Sequence, residues 1–281
     1  MSIVERAIKR LQGAAAAPQV RRVFGRVVEN PVSQTPARRL ISIDQDALRA
    51  AGLLAPTHQE RQIASQYRQI KRPLIAAAMG KGREPLPNGR AIMVASAMPG
   101  EGKTFTAINL AFSMAFEKEL EIVLVDADVA KPQISKMFGI QAEKGLLDAV
   151  TDASVDVEGL IMPTDVPNLH LMAAGTSSDR ATELLSSERM DKVMEWLLAR
   201  NPNRIFLFDS SPLLLTTEAA ALAELAGQIV VVVHAESTEH QVLLNALSRL
   251  AEGSSVSLVL NQSTIKNTAS YYYGYGAQEG S

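Results

Sequence analysis

From residue 90 onward, short apolar runs rich in β-branched side chains alternate with amphipathic segments. Continuous apolar strands separated by helices are typical of a mostly parallel sheet that is covered on both faces. The pattern predicts an α/β, doubly wound domain over residues 90–265, with ligands bound beyond the carboxyl ends of the strands. The predicted strands are 91–96, 122–125, 169–172, 205–208, 229–233 and 257–260, and the predicted helices are 103–117, 187–200, 217–226 and 238–251.

The residues before this domain follow a different pattern. Residues 1–43, with an alanine run, prolines and scattered arginines, predict a flexible basic tail. Residues 44–89 predict a helical extension and a linker, with helices near 46–52 and 58–70. We expect Tyr67 to pack against the core because it lies on the apolar face of the second helix, and we expect Pro73 and the stretch 80–89 to form the linker.

Composition narrows the classes of protein. The chain has no cysteine, which excludes disulfides, thiolate metal sites and cysteine nucleophiles. Its longest unbroken apolar runs, such as 229–233, are far shorter than the ~20 residues of a membrane-spanning helix. The charged N-terminus lacks the apolar core of a signal peptide. We therefore expect a cytoplasmic protein that is soluble or peripheral to a membrane.

Charge is distributed unevenly along the chain. The net charge of −2 combines +10 over residues 1–90 (16 Lys and Arg against 6 Asp and Glu) with −12 over the remainder (12 against 24). The basic third predicts either an anionic partner or a solvated tail. Nucleic acid is not expected as a partner, because only Phe24 and Tyr67 in that third offer aromatic rings for stacking on bases.

A phosphate-binding loop is predicted directly after the first strand and before the first helix of the domain. Residues 97–104 read Ala-Met-Pro-Gly-Glu-Gly-Lys-Thr, a G-K-[ST] loop in which Ala97 replaces the usual first glycine. In such loops backbone N–H groups and the helix dipole hold phosphate oxygens, the lysine reaches the β- and γ-phosphates and the hydroxyl binds Mg²⁺. The alternative is a glycine turn at a helix start. The predicted nucleotide-binding residues are Pro99, Gly100, Glu101, Gly102, Lys103, Thr104 and Phe105.

Three carboxylates follow two other strands. Asp126 and Asp128 end the strand at 122–125, and Asp209 ends the strand at 205–208 in the Walker B pattern of four apolar residues and an aspartate. Beside a phosphate-binding loop, such groups hold Mg²⁺ or its waters, and one of them accepts a hydroxyl proton. Helix capping and loop salt bridges are the alternative roles.

The end of the chain is rich in tyrosine. Four of its five tyrosines, Tyr271, Tyr272, Tyr273 and Tyr275, lie within residues 266–281. Either this segment is a flexible set of phosphate acceptors, or it is an adhesive end or an interface patch. A kinase site in the same chain favours the acceptors.

Together these motifs resemble those of the bacterial tyrosine kinases of exopolysaccharide assembly, in particular the cytoplasmic autokinases of exosortase-type loci. The resemblance covers roughly residues 44–275, and its specific part is the Asp-x-Asp box combined with the tyrosine tail. Further matching segments are 61–63, 67–74, 126–132, 145–148, 173–176, 183–187 and 208–213.

The resemblance implies a P-loop kinase that uses ATP and Mg²⁺ to phosphorylate its own tail in trans within a ring of subunits. Lys103 and Thr104 would bind phosphate and metal, Asp126 would be the base, and Asp128 and Asp209 would hold the metal. Expected partners are a separate membrane-spanning activator of the chain-length-determinant type, further copies of the chain and a cognate tyrosine phosphatase. The basic N-terminal third would then rest on anionic lipid at the inner face of the cell membrane, or on the activator.

Two positions depart from the family pattern. Lys131 stands where an arginine usually precedes the proline, so that a point charge replaces a bidentate fork. The helix before the phosphate-binding loop lacks the glutamate of the ring contact, although Arg68, Lys71 and Arg72 are left as candidates to reach a neighbour.

Two other functions fit the same fold. One is an ATPase switch of the septum-positioning or plasmid-partition type, against which stand the tyrosine tail and Met98, the position of that class's signature lysine. The other is a nucleotide-binding scaffold without enzymatic activity, because every residue named would serve binding as well as transfer.

Overall fold

The structure is a computed structural model, which describes residues 39–82 and 84–263. The extension contains α1 (Gln45–Ala50) and α2 (Glu60–Met79). The strands are β1 (Ala91–Ser96), β2 (Glu121–Ala127), β3 (Met162–Pro163), β4 (Leu169–Met172), β5 (Arg204–Ser210), β6 (Gln228–His234) and β7 (Val256–Asn261). The other helices are α3 (Lys103–Ala115), α4 (Gln133–Met137), α5 (Leu146–Thr151), α6 (Ala181–Leu185), α7 (Glu188–Arg200), α8 (Thr217–Leu225) and α9 (His240–Leu247), with a 3₁₀ turn at Glu158–Leu160.

The strands form one sheet in the order β3-β4-β2-β5-β1-β6-β7. Every neighbouring pair is parallel except β3 with β4. The strand order reverses at β1, which lies between β5 and β6, and this is the point at which doubly wound sheets bind ligands. The predicted α/β fold with a mostly parallel sheet is confirmed.

Helices cover both faces of the sheet, which explains why its central strands are apolar throughout. Along β2, Val123 and Val125 pack into one core cluster with α5 and α7, whereas Ile122 and Leu124 pack into the other with α2 and α3. Both sets are fully buried. A strand that is buried on both faces cannot alternate apolar with polar residues, so the run in the sequence is continuous.

The linker predicted at Pro73 is wrong, because α2 continues through this proline to Met79 and ends at Gly80, which has a left-handed φ of 68°. Pro73 lies on the exposed side of the helix. Leu74, Ile75 and two alanines that follow it are buried against the domain. This burial stabilises the last two turns despite the hydrogen bond that proline removes.

The extension is part of the domain. Tyr67 is buried, as predicted. The Asn109 side chain of α3 donates to the carbonyl oxygen of Leu53 at 2.7 Å, which ties the segment after α1 to the helix behind the phosphate-binding loop. The described fold also begins before the predicted boundary at residue 44, since Ile41 is buried and its N–H donates to the Pro163 carbonyl at 2.9 Å.

The remaining expectations concern the subunit contact of Lys71, the two tails and membrane-spanning helices. Lys71 is not available to a neighbouring subunit, because its buried ammonium group contacts the Ser113 carbonyl at 2.6 Å and Glu117 at 2.8 Å. The predicted tails lie outside the described residues, apart from 39–43 of the first. Within the described part, no helix is both long enough and apolar enough to cross a membrane.

Candidate active site

The phosphate-binding loop connects β1 to the N-terminus of α3, as the sequence predicts. Gly100 and Gly102 have φ values of 84° and 96°, a region that L side chains rarely adopt. A Cβ atom on Gly102 would also lie 1.9 Å from the Asn261 side-chain nitrogen. Both glycines are therefore required by the backbone path. The loop opens into a cavity of about 370 Å³, a size suited to a small-molecule ligand.

Lys103 and Asp128 face each other in this cavity. The Lys103 ammonium nitrogen lies 3.4 Å from Asp128 Oδ2, and both side chains are mostly buried. Asp128 Oδ1 accepts hydrogen bonds from the Ser211 hydroxyl at 2.9 Å and from the Lys131 N–H at 3.2 Å. The Asp128 carboxylate thus holds the Lys103 ammonium group beside the loop.

Asp126 lies deeper in the protein and does not line the cavity. Its Oδ2 accepts the N–H of Ser135 at 2.7 Å, whereas its buried Oδ1 has no hydrogen-bond partner among the described residues. Burial raises the pKa of Asp126 to about 6, opposed by hydrogen bonds from Ser135. A carboxyl group with such a pKa is suited to accept a proton near neutral pH.

Asp209 is directly opposite Asp126 in the pairing of β2 with β5. It is fully buried, and neither carboxylate oxygen has a hydrogen bond of good geometry with the described residues. Burial raises the pKa of Asp209 to about 7, although the Lys103 charge and the neighbouring Thr104 hydroxyl lower it. Buried carboxylate oxygens without partners are costly, so a pair of such groups behind the cavity is suited to a cation or a hydrogen-bond donor.

These features fit Mg²⁺ together with a nucleoside triphosphate. The loop offers backbone N–H groups at a helix N-terminus, Lys103 supplies a cation, and the Thr104 hydroxyl lies next to the unpaired oxygens of Asp209. The described residues contain no group of three or more acidic or imidazole side chains that holds a metal ion alone. Where a nucleotide is bound, Mg²⁺ takes one or two protein groups as ligands together with phosphate oxygens and water.

Comparison with known proteins points in the same direction. A family model described as ParA, NUBPL iron-transfer P-loop NTPase, matches residues 89–199. The tyrosine-protein kinase YwqD of Bacillus subtilis is 28% identical over 225 residues, which cover 79% of this chain and 91% of YwqD. The putative tyrosine-protein kinase EpsB of Ralstonia nicotianae is 30% identical over 190 residues, or 67% of this chain. The kinase domain of the Escherichia coli tyrosine kinase ETK superposes with a TM-score of 0.62 at 20% identity, over 76% of this chain and 80% of that domain.

The chain is a relative of the bacterial tyrosine-protein kinases. The fold of their kinase domains, with its ParA-like P-loop core, is the fold described above. The extent of the match differs between relatives, since this chain spans nearly the full length of YwqD but only 24% of EpsB.

The predicted site residues of this chain lie in two layers, one that lines the cavity and one behind it. Lys103, Thr104 and Asp128 line one cavity with Pro99, Gly100, Gly102 and Phe105 of the loop. Asp126 and Asp209 lie behind it at the ends of adjacent strands. The four tail tyrosines lie outside the described residues. The individual roles of these residues stay predictions.

Several contacts around the loop were not predicted from the sequence. Glu101 is buried, its Oε2 accepts the Met98 N–H at 2.7 Å, and its Oε1 accepts the Thr238 hydroxyl. The side chains of Asn261 and Gln262, at the end of β7, donate to the carbonyl oxygens of Glu101 (2.9 Å) and Gly100 (3.3 Å). Thr238, Asn261 and Gln262 are more than 130 residues from the loop in sequence, so no local pattern marks these contacts. Leu53 of the extension also lines the cavity.

Proposed function

We propose that this chain is a protein-tyrosine autokinase, which transfers the γ-phosphoryl group of Mg-ATP to Tyr271, Tyr272, Tyr273 and Tyr275. The observation that carries the proposal is the pair of buried, incompletely partnered carboxylates, Asp126 and Asp209, beside the Lys103–Asp128 pair at a phosphate-binding loop. The similarity to YwqD and EpsB supports tyrosine as the acceptor.

In the proposed reaction a tyrosine oxygen forms a bond to the γ-phosphorus, and the bond between that phosphorus and the bridging oxygen of ADP breaks. The tyrosine proton passes to a carboxylate, which we assign to Asp126 because its pKa is raised to about 6 and one oxygen is free. Lys103 stabilises the charge on the phosphate oxygens. Thr104, Asp128 and Asp209 are the groups that would hold Mg²⁺, which would offset negative charge on the phosphates.

Asp128 is the natural comparison for the assigned base, because it lines the cavity and Asp126 does not. Asp126→Asn and Asp128→Asn should both reduce transfer. Asp126→Asn alone should remove the acidic limb of the pH–rate profile near pH 6 while leaving ATP affinity nearly unchanged. If that limb is retained in Asp126→Asn and lost in Asp128→Asn, the two roles are reversed.

The experiment that tests the proposed function is labelling with γ-labelled ATP in the presence of Mg²⁺. We expect label to remain on the protein, and we expect it to be absent when the four tail tyrosines are changed to phenylalanine. ATP binding by the quadruple variant should equal that of the unaltered chain. Equal labelling of the two proteins would show that the tail is not the acceptor.

A ParA-type switch ATPase is the second candidate, which the family model over residues 89–199 favours. Such a protein would release the γ-phosphate of ATP to solvent as inorganic phosphate and would not become phosphorylated. Met98, which replaces the signature lysine of that class, counts against it, and 39% of its surface is exposed beside the loop. Phosphate release without labelled protein would select this candidate.

Partners follow from the tyrosine-kinase proposal. We assign the chain a role in exopolysaccharide synthesis and export at the inner face of the cell membrane, with a separate membrane-spanning protein as its activator. Transfer would occur in trans between copies of the chain, and a tyrosine phosphatase would reverse it. The test is labelling of an inactive Lys103→Ala chain by an active one, since strictly intramolecular transfer would leave the inactive chain unlabelled.

A further inference from the structure

One edge of the sheet is open. β7 lies at the end of the strand order and pairs only with β6 within the described residues. The carbonyl oxygens of Ser255 and Asn261 accept hydrogen bonds from the β6 side. Because successive backbone groups of a strand point in opposite directions, Val256, Leu258 and Leu260 direct their N–H and C=O groups away from β6. These groups form a free edge on which another strand can pair.

The same three residues also expose their side chains. Leu260 is 68% exposed, Leu258 53% and Val256 38%, although β7 is the direct continuation of a buried sheet. They lie on the face of the sheet that carries Val231 and Val233 of β6, their neighbours in register. The helix α9 packs on this face through Ala246 but leaves these β7 side chains uncovered.

Open, apolar edge strands are rare in soluble proteins because they pair with other chains. Natural edges are protected by charges, prolines, bulges or a covering segment. Here β7 contains no charged residue and no proline, having the sequence Val-Ser-Leu-Val-Leu-Asn. We therefore expect a covering segment.

We propose that the tyrosine-rich segment 271–275 of the same chain binds along the free edge of β7. Tyr271, Tyr273 and Tyr275 are spaced two residues apart, so an extended segment places all three rings on one face. That spacing matches Val256, Leu258 and Leu260, which also alternate along one face. Pairs of aromatic with aliphatic side chains across neighbouring strands are favourable contacts.

The position of this segment in the chain favours it over other occupants. Residues 264–281 follow Ser263 directly, and Ser263 comes two residues after the last residue of β7. The chain bends at Gln262, which has a φ of 57°. Seven residues, 264–270, then separate this bend from Tyr271 in the sequence, and a connection of about this length can be closed at small entropic cost. A second copy or a partner protein would have to bind without this covalent proximity.

The consequence concerns regulation, and it rests on the proposed autokinase function. A tyrosine bound at β7 is not in the cavity of another copy, so its release must precede transfer. Because Asn261 and Gln262 at the end of β7 also contact the phosphate-binding loop, the segment is attached to the chain at the edge of the nucleotide site. Displacement of the segment from β7 would thus expose the acceptors.

The absence of cysteine from the chain allows a direct test by cross-linking. Leu258→Cys with Tyr273→Cys would be introduced into the Lys103→Ala protein, whose tail carries no phosphate, and treated with a short thiol cross-linker without nucleotide. The matched control pairs Tyr273→Cys with Phe116→Cys, since Phe116 is 83% exposed at the end of α3. The products would be resolved by denaturing gel and peptide mass spectrometry.

We expect an intramolecular cross-link in the Leu258 pair at a yield several-fold above that of the Phe116 pair. A cross-linked dimer would overturn the proposal in favour of a second copy at the edge. Equal yields in the two pairs would show that the segment does not occupy β7. Neither result depends on kinase activity, so failure here is distinguishable from failure of the proposed function.

A second variant tests the regulatory consequence in the active protein. Leu258→Asp places a charge in the exposed patch and should raise the initial rate of tail labelling several-fold without changing ATP affinity. Phe116→Asp is the matched control and should leave the rate unchanged. An unaltered or reduced rate in Leu258→Asp would overturn the claim that binding at β7 withholds the acceptors.

Discussion

Both ends of the sheet bury charged side chains, but the two ends differ in how completely these side chains are hydrogen-bonded. At the amino ends of the strands, Arg204 lies between Glu121 and Glu158. Its guanidinium group donates hydrogen bonds of 2.9 Å to one carboxylate oxygen of Glu121 and to both of Glu158. At the carboxyl ends, Asp126 and Asp209 retain three buried oxygens without a hydrogen-bond partner of good geometry among the described residues. Among the described residues the Arg204 guanidinium is therefore paired with carboxylates, whereas Asp126 and Asp209 are incompletely paired, and we call these the complete and the incomplete end.

The difference separates a structural charge cluster from a functional one. Hydrogen bonds satisfy the buried arginine, so that its removal is expected to disturb the fold rather than the chemistry. The buried carboxylates at the other end cost stability in the free protein, and the proposed Mg²⁺ would offset that cost. Burial of a charge therefore does not indicate a site by itself, whereas incomplete pairing of that charge beside a phosphate-binding loop favours one.

The largest effect is expected at the incomplete end. Asp209→Asn preserves shape and removes the charge, and we expect phosphoryl transfer to fall about 100-fold or more, as for other groups that stabilise a transition state. Single-turnover labelling with γ-labelled ATP would measure it. The control is Asp152→Asn, an exposed aspartate of the same domain. Transfer by Asp209→Asn within a few-fold of the unaltered chain would remove Asp209 from the site.

The next effect is on stability and is expected at the complete end. Arg204→Met leaves Glu121 and Glu158 without their partner, and breaking a buried ion pair in this way costs about 3–5 kcal/mol. For a domain of this size the expected fall in Tm is roughly 10 °C. Calorimetry and an ATP-binding isotherm at low temperature would measure it, with Arg200→Met on the exposed face of α7 as control. Lost ATP affinity with an unchanged Tm would show that Arg204 supports the nucleotide site rather than the fold.

The pH dependence of stability should distinguish the two kinds of carboxylate. The folded pKa of Asp209 is raised to about 7, above its unfolded value, so the free protein loses stability as pH rises from about 4 to 7. Asparagine lacks this cost. We expect Asp209→Asn to be more stable than the unaltered chain at pH 8, by on the order of a few kcal/mol, and about equally stable at pH 4.

Asp148 is a suitable control because its pKa is shifted in the opposite direction to that of Asp209. Although burial opposes the shift, hydrogen bonds from Thr176 and Gly145 hold the pKa of Asp148 below its usual range. Its contribution to stability is present above the unfolded pKa and is lost as pH falls through the folded pKa. Asp148→Asn should thus be destabilised alike at pH 6 and pH 8. Melting curves recorded with a metal chelator would test both variants, and a destabilised Asp209→Asn at pH 8 would contradict the account.

The smallest expected effect concerns a residue that supports the phosphate-binding loop from a distance. Thr238→Val removes the hydroxyl that donates to Glu101, a loss of about 1 kcal/mol. We expect ATP affinity to fall roughly fivefold with little change in Tm. Isothermal titration would measure it, and Thr216→Val, at the edge of the same cavity, is the comparison. Unaltered affinity would show that the loop does not depend on this contact.

The sequence was informative wherever a pattern is local. The predicted strand at 91–96 has the same bounds as β1, and the local patterns also mark the loop at 97–104 and the three aspartates, which lie at or just after the carboxyl ends of β2 and β5. What could not be predicted is long-range. The path of α2 through Pro73 depends on buried contacts of the residues after it, and the hydrogen bond of Asn261 to Glu101 joins residues 160 apart. Packing of this kind leaves no periodic signal.

The central claim is that phosphate from ATP is transferred to this chain rather than to water. Its most direct test is intact mass spectrometry of the purified, phosphatase-treated protein after incubation with Mg-ATP, followed by mapping of the modified peptide. We expect additions of whole phosphoryl groups, confined to the peptide that contains Tyr271–Tyr275 and absent in Lys103→Ala. ATP hydrolysis without any change of mass, even when the cytoplasmic part of a membrane-spanning activator is present, would contradict it.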